Sequence, residues 1–265
     1  SIYSNLPGSK TQGNHFQVQE FFPSLIKSVQ RDFTITTNNT THKFNRYILF
    51  ATCHFADQNN QQNLNEFHIK IDDDQGIMNK IELLYMGEPV EFLKADSKLL
   101  KRIVTELQID GFPKYVYLSN EFNPLYTFAY RQAVFPDKVT LQMNFKHVLQ
   151  NLPSPLKIRT KKQTYSCNRI ISRISNVLKT LLDEDPNLEE YKLDFEDISS
   201  EFEPISQILK GDWKSISVNQ IDTIRSLAEQ LEIIPLIEFI DNFSHELEEQ
   251  IEKVDSKSEI LNPYI

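Results

Sequence analysis

Glycine is scarce in this chain: 6 residues in 265, against 18 phenylalanines and 10 tyrosines. With so few, and none clustered, a Gly-rich phosphate loop, a dinucleotide fingerprint and a Gly-x-Ser-x-Gly nucleophile turn are all excluded. Cysteine is scarcer still. Cys53 and Cys167 stand far apart, forming neither a disulfide framework nor a Cys-x-x-Cys metal pair. No apolar run approaches the roughly 20 residues of a membrane span, and the opening SIYSNLPGSKTQGNH has no apolar signal-peptide core. Positive charge is in deficit, with a formal net charge of −9. A long nucleic-acid footprint needs the opposite excess, so the basic run KIRTKK (157–162) is expected to touch RNA only as a contact within a larger particle. What remains is 40% hydrophobic and 25% charged, the balance of a soluble globular chain, expected to be cytoplasmic.

What the chain does contain, it contains twice. THKFNRYI (41–48) and TYSCNRII (164–171) share a central Asn-Arg. Slid against itself by about 123–124 positions, the chain keeps matching. DFTITT (32–37) falls on PLKIRT (155–160), with Phe33 and Ile35 opposite Leu156 and Ile158, an alternation that predicts a half-buried strand in each copy. LNEFHIKID (64–72) meets LEEYKLDFE (188–196), again strands by alternation. IELLYMGE (81–88) meets ISQILKGD (205–212), with Gly87 on Gly211. Each of these glycines ends an apolar helical stretch and is expected to take positive φ. LLKRIVTELQI (99–109) meets TIRSLAEQLEI (223–233); Leu100, Ile103, Val104 and Leu107 and their counterparts have helical spacing. Ser217, three residues before Gln220, has the spacing of a capping box. The order strand, helix, strand, helix, Gly turn, helix recurs as a unit.

That unit resembles the BTB/POZ domain. YSCNRIISRIS (165–175) is similar to the family's apolar-His-Arg segment, with Asn for the usual His; LLYMGE (83–88) is similar to its Tyr-Thr-Gly-like turn; IRSLAEQLEIIPLIEFI (224–240) is similar to its closing helix pair. Candidate leading helices are VQEFFPSLIKSVQ (18–30) and FKHVLQNL (145–152), and a polar insert, DQNNQQNLNE (57–66), departs from the pattern. The resemblance implies an α+β fold of two BTB/POZ-like domains in tandem, each a small sheet packed with a helical cluster. The expected organisation is a tail at 1–17, a first domain at 18–114, a connector at 115–144 with an extra strand at KVTLQMNF, a second domain at 145–243, and a C-terminal helix and tail at 244–265. Because such domains commonly pair through leading helices and swapped strands, the two are expected to pair within the chain.

No catalytic, cofactor or metal set is expected. Cys53 and His54 are neighbours, but adjacent side chains diverge by about 100° on a helix and do not chelate alone. Carboxylates crowd DEDPNLEEYKLDFEDISSEFE (183–203), which reads as a solvated or docking face rather than a general acid–base pair. Function is therefore expected in protein-binding surfaces. Phe122, Tyr126, Phe128 and Tyr130, in the connector, are candidate interface anchors. Leu182, Asp183 and Glu184 fit the apolar-x-Glu turn that many BTB proteins present to a cullin, as the resemblance implies. The expectation is a non-enzymatic scaffold, a structural or assembly subunit of a larger complex; the alternative is a substrate adaptor of a cullin ubiquitin ligase.

Overall fold

The computed structural model describes residues 15–55, 64–109, 116–118, 137–150, 155–212 and 214–260, with 116–118, 150 and 254–260 described by backbone alone. It is a mixed α+β structure of small sheets. The chain divides into two compact units: an amino unit, Gln19–Ser154, and a carboxy unit formed by residues from Pro155 onward with those up to Val18.

The described chain opens with β1 (His15–Phe16). The amino unit then begins with a 3-10 turn and α1 (Phe22–Ser28), whose Pro23 occupies the first turn, where its missing N–H costs no hydrogen bond. Next come β2 (Phe33–Thr36), β3 (Thr41–Phe44), α2 (Arg46–Thr52) and β4 (Glu66–His68). Strands β2 and β3 form an antiparallel hairpin and β4 joins β2 in parallel, giving the order β3-β2-β4. Phe33, Ile35 and Phe44 face inward from this sheet. Helix α3 (Ile77–Tyr85), β5 (Val90–Leu93) and α4 (Ser97–Glu106) follow. A second sheet, β5-β7-β6, is completed by β6 (Val116–Leu118) and β7 (Lys138–Met143). Helix α5 (Phe145–Gln150) lies against α2. Val139, Leu141, Met143 and Phe145 are all buried, as their alternation predicts. The strand expected in the connector and the helix expected to lead the second domain thus belong to the amino unit.

In the carboxy unit β8 (Pro155–Arg159), β9 (Thr164–Asn168) and β10 (Glu190–Lys192) form the sheet β10-β8-β9, again an antiparallel hairpin with a parallel third strand. Leu156 and Ile158 sit where Phe33 and Ile35 do, paired to Cys167 and Tyr165 as those are paired to Phe44 and His42. Between the hairpin and β10 stands α6 (Asn176–Glu184); after it come α7 (Glu203–Ile208), β11 (Lys214–Ser215), α8 (Ile221–Gln230) and the long α9 (Ile234–Ile260). Strand β1 pairs with β11 antiparallel, so the chain's first described strand completes a sheet of the carboxy unit while β7 completes one of the amino unit.

The two units match in detail as well as in order. Gly87 (φ 87) and Gly211 (φ 102) follow α3 and α7. The next N–H groups, of Glu88 and Asp212, reach back to Leu83 O and Gln207 O, and those of Gly87 and Gly211 to Leu84 O and Ile208 O. This is the Schellman closure that requires a left-handed residue, and glycine takes it without strain. The same closure ends α4 and α8, with Gln108 and Glu232 at φ 51. The predicted third strands are shorter than their alternation suggests. After His68 and Lys192 the chain turns on itself, with Ile71 N bonded to Ile69 O and Phe195 N to Leu193 O.

Candidate functional site: an acidic protein-binding face

The repeated Asn-Arg is a structural device. Asn45 Oδ1 accepts the N–H of Tyr47 at 3.1 Å and of Ile48 at 3.2 Å; Asn168 Oδ1 accepts those of Ile170 at 2.9 Å and Ile171 at 3.0 Å. Each side chain satisfies N–H groups that the helical turn leaves open. Arg46 is bound to Asp32 through both its backbone N–H and its Nε, and Arg169 donates to the carbonyl of Pro186.

The buried carboxylates hold backbone too. Asp73 accepts from Ile77 N at 2.7 Å and Met78 N at 2.8 Å, at the start of α3. Asp96 accepts from Leu93 N and from Lys80 Nζ. Asp197 accepts from Phe202 N at 3.0 Å, Thr160 Oγ1 at 3.0 Å and the Tyr165 hydroxyl at 2.7 Å. A general acid or base must face a substrate proton, and these three are engaged with the fold. Burial pushes both the Cys53 and the Cys167 thiol up to about 12, far from a reactive thiolate. His42 Nδ1 lies 2.8 Å from Glu82, whose other oxygen meets Arg31, while its Nε2 is buried without a partner among the described residues. Among the described residues no group of three or more His, Cys, Asp or Glu could hold a metal. An open groove of about 290 Å³ in the amino unit is lined by Asp72, Asp74, Lys98 and Arg102 among others.

The carboxy unit carries the acidic face. Leu182 is buried at 3% exposure under α6, so the apolar member of the expected turn is a core residue. Asp183 pairs with the nearly buried Arg173, and Glu184 projects into solvent at the helix end. Phe122, Tyr126, Phe128 and Tyr130 lie outside the described residues. Two of the four cations of the basic run, Arg159 and Lys161, face carboxylates. Arg159 faces Glu190 at 3.8 Å, and Lys161 bonds both Asp194 at 3.0 Å and Glu196 at 2.8 Å. These contacts hold the Lys161 ammonium above its usual range and the Glu196 carboxyl below.

One residue the sequence did not single out stands in this face. Ile198 is 76% exposed, the most exposed of the large apolar residues described. Asp197, immediately before it, has φ 54, and Ser200, just beyond, has φ 60. A left-handed residue with a β-carbon costs on the order of 1–2 kcal/mol, so this loop is held against a local preference. The Asp197 hydrogen bonds hold one end, and Gln163 Nε2 bonded to Ser200 Oγ at 2.5 Å holds the other. Ser217, by contrast, forms no capping box: its hydroxyl bonds the Gln220 side chain instead of a backbone N–H.

No family model matches this chain, and no curated protein matches it.

Proposed function

We propose that the chain is a protein–protein interaction scaffold built of two BTB/POZ-like units, serving as a structural or assembly subunit of a larger complex. The observation that carries this reading is the use of the buried polar side chains. Buried Asn168, Asp73 and Asp197, with the half-buried Asn45, close backbone hydrogen bonds at equivalent places in the two units, so these shared polar groups serve the fold and binding is left to the surfaces. The BTB/POZ likeness rests on the sequence motifs and on the recurrent three-stranded sheet with its flanking helices and Gly turn. No described helix is long and apolar enough to cross a membrane.

The adaptor reading draws on Glu184, exposed at the end of α6, and is weakened by the burial of Leu182, which a cullin could not grip without unpacking the core. The experiment is affinity purification of the tagged chain from its own cells, beside a Glu184→Lys form. Leu182 is left intact because truncating it would damage the fold. A constant set of co-purifying proteins, the same for both forms and without a cullin, supports the scaffold. A cullin present with the native chain and lost with Glu184→Lys replaces it with the adaptor. No co-purifying protein at all refutes both.

A further inference from the structure

We draw no further inference here: the strongest candidate, the open groove of the amino unit lined by Asp72 and Asp74 from the loop after β4 and by Lys98 and Arg102 from α4, is bordered by exposed side chains of both charge signs, and nothing in the structure shows what covers it.

Discussion

The Tyr165 hydroxyl donates to Asp197 Oδ2 over 2.7 Å inside the carboxy unit, where the amino unit has His42 bonded to Glu82 instead. Asp197 is almost fully buried, and its carboxylate oxygens are satisfied there by Tyr165, Thr160 and Phe202 N. Tyr165→Phe should remove one donor and cost about 1–3 kcal/mol. Asp197→Ala should cost more, because it removes the acceptor of the Phe202 N–H, the Tyr165 hydroxyl and the Thr160 hydroxyl together, of which Thr160 keeps a bond, to Gln163. Urea unfolding curves of the three proteins check the order.

The Asn caps make a paired prediction. Asn45→Ala and Asn168→Ala should each destabilise by about 1 kcal/mol, the usual cost of losing such an acceptor. Asn168→Ala should be the worse of the two, because Asn168 is buried and the freed N–H groups of Ile170 and Ile171 then have less access to water. Asn→Asp at either position keeps the acceptor and should recover most of the loss. Thermal midpoints of the four single variants settle the ranking.

Local patterns made much of this fold legible. Phe33, Ile35, Leu156 and Ile158 are buried as their alternation requires, Gly87 and Gly211 take positive φ, and the apolar faces of α4 and α8 point inward. Each of those signals is carried by residues near one another in sequence. The features that escaped depend on distant partners. Strand β4 ends at His68 because the chain turns at Ile71, and no alternation records that. Strand β7 and helix α5 join the amino unit through pairing with β5 and packing on α2. Ile198 sat unnoticed among acidic residues, since an exposed Ile and a buried one share the same letter. Only the left-handed Asp197, held by Thr160 and Tyr165 from a remote hairpin, turns it outward.

Alkaline pH should weaken the fold. Burial pushes Cys53 and Cys167 from the ordinary 9.0 to about 12, so above pH 9 the unfolded chain releases thiol protons that the folded chain retains. Both folded values are raised, so this contribution is intact below pH 9 and is lost as pH climbs from 9 toward 12. The slope is about 1.4 kcal/mol per pH unit for each fully ionising thiol. Tyr165, pushed up by burial and by Asp197, adds to the decline above its ordinary 10.0. Urea midpoints taken from pH 8 to 10.5 should fall progressively, and Cys167→Ala should fall less steeply. At pH 8 a thiol reagent should label neither cysteine until denaturant is added.

Gly87 is the position where one methyl group should cost most for its size. Its φ of +87 excludes an L side chain without strain, and an added β-carbon would stand 3.1 Å from Phe145 Cε2. Gly87→Ala should therefore lose about 1–3 kcal/mol, from backbone strain and from crowding against the ring together. The two causes separate by experiment. Phe145→Leu shortens the obstructing side chain and costs its own packing, but in the double variant the crowding part of the Gly87→Ala penalty should disappear while the φ part remains. A double-mutant cycle of unfolding free energies reads that difference as the coupling between positions 87 and 145. Zero coupling would assign the whole cost to the left-handed backbone, and α5 would then lie farther from the α3 turn than 3.1 Å requires.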